Sequence, residues 1–398
     1  MSDTLIHLQP VDVLQVINVV NATAAPWNEY SVPLARRQRI VVCSFRPSEI
    51  ETDAVRDGVT LIEGDGTFRG FFNNLKRVAA SYELANIHVH APRVGVLFLL
   101  ARLLIRRLRK AQTVYTVHSS IPLYHQVYQL LMLPIMVSYR HIVFCSRASL
   151  DACPKLHAWL AGPRKRVICN GVNLSRVALS LRPPEGEFKS LPPVEPRDTS
   201  CIRIIWIGRL IALKRAELLI DAVRECDRMQ VEFVGRGPLL EKLENRVAIT
   251  GLDSRIKFIG AVPRHEVYER LQRADIFVST SRGEGMPIAV LEAMALQRPV
   301  FLSGIPSHQE INDVCSSARL IDMSVSALPL QLALEEFAAL SAAERAELGQ
   351  DCRAAVEQHF SLRVMLDRYI ELYRMSKSSK DGCENPAKRT RQEGVNDA

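Results

Sequence analysis

The sequence lacks an apolar run long enough to cross a bilayer. No segment reaches the roughly 18–20 apolar residues that a membrane-spanning helix needs. The first fifteen residues lack the basic-then-apolar order of a secretory signal. Nine cysteines are present without a Cys-x-x-Cys pair, so neither a zinc site nor a disulfide framework is indicated. We expect a cytoplasmic protein with reduced thiols, and at most a peripheral contact with a membrane.

Three further absences narrow the function. No Asp-x-Asp sequence is present, which fits a site without a metal. No Gly-x-Gly-x-x-Gly follows the first apolar strand, which argues against an NAD-binding protein. The net charge is +8 and the pI about 9.1, which suits anionic partners such as nucleotides or acidic lipid. Because no RNA-binding signature accompanies this charge, we expect no nucleic-acid partner.

The 398 residues are too many for one ordinary core and suit two domains. Short β-branched runs alternate with helical patterns, which predicts parallel sheets with crossover helices. The predicted fold is therefore α/β, with two doubly wound, Rossmann-like domains facing across a cleft. The predicted strands begin near Val13, Arg39, Val59, Asn86, Thr113, Ile142, Ile202, Gln230, Arg255, Asp275 and Pro299.

Proline and charge mark the domain boundary. Residues 181–198 hold five prolines, which favour a linker or irregular loop. We predict a first domain over 1–177, a linker over 178–200 and a second domain over 201–375, whose last helix can return to the first domain. Residues 376–398 are polar and nearly free of large apolar side chains, so we predict a disordered tail.

Two carboxylates stand at the start of one apolar helix. The strand ending near Ser279 is followed by a loop with two glycines, and then by a helix predicted from Pro287 to Leu296. Glu292 is its only polar residue, and a carboxylate in a buried helix needs a partner. Glu284 precedes the helix N-terminus, whose free amides bind anions or hydroxyl groups. A structural pairing of Glu292 with a neighbour is the alternative.

A second strand–loop–helix carries two cations. A buried strand runs into Gly208 and Arg209, and Lys214 stands at the start of the next helix. Glycine at the strand end allows a ligand to approach the backbone. The two cations can neutralise a diphosphate without a metal. Surface positions for both are the alternative.

Both motifs resemble those of the family-4 retaining glycosyltransferases, which have the GT-B fold. Glu284 and Glu292 match the family's Glu-x7-Glu pair, in which the first Glu holds the donor sugar and the second the ribose. Gly208, Arg209 and Lys214 match its diphosphate clamp. The strand ending at His118 resembles the family's strand that places a His at the reaction centre, although a lone His after an apolar strand is usually structural.

The resemblance implies that the first domain, 1–177, lies on the acceptor side and that the second, 201–375, binds the nucleotide sugar. It also implies two sets of site residues. The catalytic set comprises His118, Glu284, Arg209 and Lys214. The donor-binding set comprises Gly208, Arg209, Lys214, Gly235, Val262, Glu284, Gly285, Met286, Pro287 and Glu292. The implied donor is a nucleotide-diphosphate sugar of the UDP or GDP type, the acceptor is a sugar or lipid-linked hydroxyl, and no metal or other cofactor is expected. We find no carboxylate to name as a nucleophile, so the resemblance favours front-face attack with the donor phosphate as base.

The chain departs from the family in one place. The family often has a Gly-Gly loop after the first strand, whereas residues 21–28 contain no glycine. Contacts made by that loop cannot be transferred to this chain. A nucleotide-sugar epimerase, a phosphorylase-like enzyme and a degenerate transferase acting as a partner subunit therefore stay open as alternatives.

One segment has the pattern of a basic amphipathic helix. Residues 92–110 read PRVGVLFLLARLLIRRLRK, with five cations crowded into the C-terminal half beside leucines. Such a helix can lie on anionic lipid. The alternative is an ordinary helix that packs on the sheet, with arginines that favour its own C-terminus.

Overall fold

The computed structural model describes residues 8–21, 26–49, 58–180 and 201–381. These residues form two parallel sheets, each wound by helices on both faces. The predicted fold class is confirmed. The first sheet has the strand order β3-β2-β1-β4-β5-β6-β7, formed by β1 (Gln9–Ile17), β2 (Ile40–Ser44), β3 (Thr60–Ile62), β4 (Tyr82–His90), β5 (Gln112–Val117), β6 (His141–Phe144) and β7 (Lys165–Val167).

The second sheet repeats this plan. Its order is β10-β9-β8-β11-β12-β13, formed by β8 (Ile202–Ile207), β9 (Met229–Val234), β10 (Ile256–Gly260), β11 (Ile276–Ser279), β12 (Val300–Ser303) and β13 (Ala318–Ile321). In each sheet the strand order reverses beside the first strand of the domain. Ligands of open α/β sheets bind at that reversal, beyond the carboxyl ends of the strands.

Helices connect the strands. They are α1 (Val32–Ala35), α2 (Phe68–Ser81), α3 (Pro92–Leu104), α4 (Gln126–Ser138), α5 (Arg147–Asp151), α6 (Lys155–Ala161), α7 (Leu174–Ser180), α8 (Ala216–Val223), α9 (Leu240–Ile249), α10 (Arg264–Arg273), α11 (Ile288–Ala295), α12 (Pro306–Asn312), α13 (Leu328–Ala339), α14 (Ala342–His359) and α15 (Leu362–Asp381).

Burial on both faces explains why the central strands are apolar throughout. All six residues of β5 are buried, because helices cover both sides of a parallel sheet. The last helix contributes to this cover. Met365 and Tyr369 of α15 pack in one cluster with Val13 of β1 and Val114 of β5, so the C-terminal helix lies against the first domain.

The structure changes several predicted boundaries. The strand predicted from Val13 begins at Gln9 and ends at Ile17. Two sheet-edge strands, β7 and β13, were not predicted. The predicted linker begins inside α7, and residues 181–200 lie outside the described residues. The predicted tail begins inside α15, and residues 382–398 lie outside them as well.

Candidate active site

Two glycines close the carboxyl edge of the second sheet beside β8. Gly208 follows β8, and its amide donates to the carbonyl of Val234 at 3.0 Å. Gly235 follows β9 with φ of 139°. A Cβ on Gly235 would lie 1.9 Å from the Gly208 carbonyl oxygen, so no larger residue fits there. The two loops therefore pack backbone against backbone at the strand reversal.

The structure brings together Lys214 and Glu284, which are seventy residues apart in the sequence. Lys214 Nζ donates to Glu284 Oε1, and Ser281 Oγ donates to the same oxygen at 2.7 Å. Both side chains are largely buried, with exposed fractions of 20% and 14%. The other oxygen of Glu284 accepts no hydrogen bond from the described residues.

Arg215 fixes the backbone of Lys214, and the sequence analysis missed it. It is buried, and its φ of 48° is left-handed. Its guanidinium donates to the carbonyls of Thr280 at 2.9 Å and Met323 at 2.8 Å. Thr280 Oγ1 in turn donates to the Lys214 carbonyl at 2.7 Å. These bonds tie the loop after β8 to the loop after β11, and so hold Lys214 beside Glu284.

Arg209 differs from Lys214 in having no side-chain partner among the residues that the structure describes. Its side chain is exposed at the carboxyl end of β8. No described residue forms an ion pair or a side-chain hydrogen bond with it. Its guanidinium is therefore available to an anion near the Lys214–Glu284 pair.

Glu292 has protein partners that the sequence did not reveal. Its carboxylate is buried in α11, and Oε1 accepts from Arg264 at 2.6 Å and from Tyr268 at 2.8 Å. Arg176 lies 3.6 Å from the same oxygen, and it also binds Glu29 of the first domain at 2.6 Å and the hydroxyl of Tyr268 at 2.9 Å. Burial raises the pKa of Glu292, while the charge of Arg264 opposes the shift. Oε2 of Glu292 accepts nothing from the described residues.

The loop before α11 touches the first domain. Gly285 has no room for a side chain, because its Cβ would lie 2.6 Å from the His118 carbonyl oxygen. Ser146 Oγ donates to the Gly285 carbonyl at 2.7 Å, and Ser120 Oγ donates to the Glu284 carbonyl at 3.3 Å. The two predicted catalytic residues Glu284 and His118 thus belong to segments in direct contact across the domain boundary.

The remaining predicted residues support this loop. Met286 is buried in the core of the second domain, and Val262, between β10 and α10, packs against the same cluster. Pro287 was predicted as the first residue of the helix. It is instead the N-cap, with ψ of 93°, and α11 begins at Ile288.

His118 is the outer end of a buried chain of polar side chains. Its Nε2 lies 2.8 Å from His90 Nδ1, and His90 Nε2 lies 2.8 Å from Gln15 Oε1. The chain continues through His88, whose Nδ1 lies 2.7 Å from the hydroxyl of Tyr373 in α15. His88 and His90, which alternate on β4, are therefore occupied in a hydrogen-bond network.

The network determines which nitrogen of His118 carries the proton. The Gln15 oxygen can only accept, so His90 donates from Nε2 and its Nδ1 is an acceptor when the ring is neutral. His118 must then donate from Nε2, which leaves its Nδ1 with a lone pair. That Nδ1 receives no hydrogen bond from the described residues, and the side chain is half-buried. His118 therefore offers an acceptor to a ligand.

Burial lowers the pKa of all three histidines. The pKa of His118 falls to about 4, and those of His88 and His90 fall well below the usual value. The unfolded chain binds protons at these groups below about pH 6.5, while the folded chain does not. The contribution of these histidines to the free energy of unfolding should therefore be fully present above that pH. It should decrease as the pH drops toward the folded-state pKa, by up to about 1.4 kcal/mol per pH unit for each histidine.

Urea unfolding at pH 7 and pH 5 measures this loss. His88→Gln should reduce the difference between the two pH values, because one buried histidine no longer titrates. The control Val114→Ala, which removes buried apolar volume from the same domain but no titrating group, should lower the stability at both pH values and leave the difference unchanged. An unaltered pH difference in His88→Gln would contradict the assignment.

The segment after β4 has the sequence pattern of one basic amphipathic helix, but the structure divides it. The α-helix ends at Leu104, and a 3₁₀ turn follows over Arg106–Arg109. Phe98 and other inner residues are buried on the sheet. Arg109 Nε donates to the Arg102 carbonyl at 3.2 Å, so it binds the C-terminus of the preceding helix α3. Leu103 and Leu104 nevertheless remain exposed, by 64% and 68%.

Within the described residues, we find no helix whose length and apolar character would let it traverse a bilayer.

Two facing doubly wound domains define the GT-B class of protein, and their contact through Gly285 brings the predicted site residues together. Residues 188–354 match the family model for glycosyl transferases group 1, and residues 34–176 match that for glycosyltransferase family 4. Together the two matches cover most of both domains. The chain therefore belongs to the family of glycosyltransferases, group 1 and family 4, that these two models describe.

Two similar proteins are also named as glycosyltransferases. The chain is 29% identical over 216 residues to WcaL of Escherichia coli (strain K12), a glycosyltransferase named for colanic acid biosynthesis, covering 51% of this chain and 50% of WcaL. It is 32% identical over 148 residues to TuaC of Bacillus subtilis (strain 168), a glycosyltransferase named for teichuronic acid biosynthesis, covering 37% and 35%. The aligned part thus spans about half or less of these relatives.

The fold is also that of a solved structure. The crystal structure of Anabaena HepE in complex with UDP and glucose superposes with a TM-score of 0.73, covering 92% of this chain and 99% of HepE. The identity is 17%, so the similarity concerns the fold alone.

Proposed function

We propose that this protein transfers a sugar from a nucleotide-diphosphate donor, of the UDP or GDP type, to a hydroxyl of a sugar or lipid-linked acceptor. The observation that carries the proposal is the contact of Lys214 with Glu284 at the strand reversal, against the segment of His118. The names of the two polysaccharide-synthesis relatives and the UDP complex of HepE agree with this reaction class.

The departing diphosphate carries the negative charge that the site must stabilise. In our proposal Arg209 and Lys214 face the two phosphates, and the free amides at the start of α11 add partial positive charge. Arg209 has no competing partner among the described residues, so it can turn to the phosphates without breaking an ion pair. We propose that these groups act without a metal.

The unused acceptor atoms indicate how the rest of the donor binds. Oε2 of Glu284 and Nδ1 of His118 would accept hydrogen bonds from hydroxyl groups of the transferred sugar. Oε2 of Glu292 would accept from the ribose, while Arg264 and Tyr268 hold Oε1. We propose retention at the anomeric carbon by front-face attack, with the donor phosphate as base, as the family's motifs imply.

Product analysis tests the reaction. With a donor sugar and a mixture of hydroxyl acceptors, we expect nucleotide diphosphate to be released only when acceptor is present. The proton NMR coupling at the new anomeric centre should match that of the donor. Sugar interconversion without acceptor would indicate an epimerase, and donor binding without any turnover would indicate a non-catalytic partner subunit. Either outcome contradicts the proposal.

We also propose that the protein works in the cytoplasm and touches an anionic membrane peripherally. Leu103 and Leu104 are exposed beside a basic segment, which is the composition of a weak interfacial contact. Sedimentation with anionic vesicles, compared between wild type and Leu103→Ser, tests this contact.

A further inference from the structure

A basic cavity lies at the edge of the first sheet where its strands begin. Its volume is about 890 Å³, and it is lined by the first residues of β1, β5 and β6 and by the segments that precede β5 and β6. Seven lysine and arginine side chains line it, against the two carboxylates of Asp12 and Glu83. Arg39 forms an ion pair with Asp12, with 3.5 Å between Arg39 Nε and Asp12 Oδ2. The lining therefore has a large excess of positive charge.

Some of these cations have structural roles. Arg109 bonds the C-terminus of α3, and Arg164 donates to the carbonyls of Met136 at 2.7 Å and Tyr139 at 2.8 Å. Lys110 and Arg140 differ, because no described carboxylate or carbonyl accepts a hydrogen bond from their side chains. These two exposed cations are available to a ligand in the cavity.

The wall of the cavity shows the same charge imbalance. His141 is only 8% exposed, and its Nδ1 is buried without a hydrogen-bond partner among the described residues. Burial, and then the charges of Arg166 and Arg140, lower its pKa to about 4. A neutral histidine beside two arginines agrees with the excess of positive charge over the two carboxylates of the lining.

We propose that this cavity binds an anion bearing phosphate groups, held by Lys110 and Arg140. Lysine and arginine form charge-assisted hydrogen bonds with phosphate oxygens, and several adjacent cations favour an anion with more than one charge. The site is separate from the proposed donor cleft. The cavity is lined by Gln112 at the start of β5, whereas His118 follows the end of that strand, about 20 Å away for six extended residues.

The phosphate can belong to a soluble ligand or to a lipid headgroup. Exposed apolar side chains adjoin the lining residues in the sequence: Leu103 follows Arg102, and Val137, which is 55% exposed, precedes Ser138. An apolar rim beside a cationic pocket suits a headgroup at a bilayer surface. Soluble pyrophosphate and phosphatidic acid in phosphatidylcholine vesicles separate the two sources.

The experiment uses the full chain with Arg209→Ala and Lys214→Ala, so that the donor cleft does not contribute. Calorimetry measures pyrophosphate binding, and sedimentation measures binding to vesicles with and without phosphatidic acid. The test variant adds Lys110→Ser and Arg140→Ser. The matched control instead adds Arg228→Ser and Lys257→Ser, which remove one arginine and one lysine from exposed positions in the second domain.

We expect the test variant to weaken binding of the preferred probe by about tenfold or more for each lost contact, while the control retains it. Binding of pyrophosphate assigns a soluble ligand, and binding only to vesicles with phosphatidic acid assigns a headgroup. The four side chains that distinguish the test variant from the control, Lys110, Arg140, Arg228 and Lys257, are exposed, so replacing them should leave the circular dichroism and the melting temperature of the Arg209→Ala, Lys214→Ala chain unchanged. Equal affinity in the test variant, equal loss in the control, or no binding of either probe would overturn the proposal. Nucleotide binding in the cleft of the otherwise unaltered chain is a separate measurement.

Discussion

Arg209→Ala is expected to weaken the binding of the nucleotide diphosphate by about 1.5–3 kcal/mol and to leave nucleoside binding nearly unchanged. The reason is that its exposed guanidinium has no described protein partner, so its loss removes only a contact with the phosphates. Lys214→Ala should cost a similar amount with the diphosphate. It should also affect the sugar nucleotide, because Glu284 then loses the cation that holds Oε1. Calorimetric titration with nucleoside, nucleotide diphosphate and nucleotide sugar measures all three.

The matched control for Arg209 is Arg228→Ala. Arg228 is exposed just before β9, at the edge of the sheet opposite the proposed clamp, and should not alter any of the three affinities. If Arg209→Ala lost as much affinity for the nucleoside as for the nucleotide diphosphate, the assignment of Arg209 to the diphosphate would be wrong.

Substitution of the two carboxylates, Glu284 and Glu292, is expected to affect two different quantities, turnover and nucleotide affinity. Glu284→Gln should reduce kcat strongly with little effect on binding of the bare nucleotide, because its proposed partner is the transferred sugar. Glu292→Gln should weaken nucleotide binding, because its proposed partner is the ribose. Each lost hydrogen bond to a charged group corresponds to about 1.5–3 kcal/mol, or roughly ten- to a hundredfold in the affected constant.

Protein stability provides an independent readout of the same pair. Glu292 is buried against Arg264 and Arg176, so Glu292→Gln should lower the melting temperature. Glu284→Gln should lower it less, because Lys214 is partly exposed and can turn to solvent. Glu232→Gln, which weakens an ion pair with Arg270 at 2.9 Å, is the control for loss of a carboxylate charge. If Glu284→Gln and Glu292→Gln affected turnover and nucleotide binding alike, the division of roles would be wrong.

The sequence predicted the fold where local pattern and final burial agree. Strands such as β5 and β8 are β-branched runs that end up covered on both faces, so composition alone indicates them. The edge strands β7, with sequence KRV, and β13, with sequence ARLI, carry charge and are short. Pairing with a neighbouring strand forms them, and no pattern of their own indicates it. The end of α15 was missed because its last residues, from Ser376, are polar and show no apolar periodicity. The end of α7 was missed because residues 178–180 directly precede the proline-rich stretch and were assigned to the linker.

The site was predictable only as far as its motifs are local. Glu284, Glu292, Arg209 and Lys214 lie in two short stretches, so the resemblance found them. Other parts of the site are assembled from distant segments.

Arg176 of α7 and Arg264 of α10 lie far apart in the sequence, and both reach Glu292 because α7 packs against α10 and α11. The proton assignment of His118 likewise depends on Gln15 and His90 from two other strands. No sequence spacing encodes these contacts.

The measurement that tests the central claim most directly is thermal unfolding of the wild-type chain with UDP, GDP, ADP and their sugars. A ligand at about 100 times its dissociation constant stabilises the folded state by about 2.7 kcal/mol. We predict that one diphosphate and its sugar raise the melting temperature by several degrees, and that Arg209→Ala with Lys214→Ala abolishes the rise. No shift with any of these ligands, or an equal shift in the doubly substituted chain, would contradict a nucleotide-sugar site at the ends of β8 and β11.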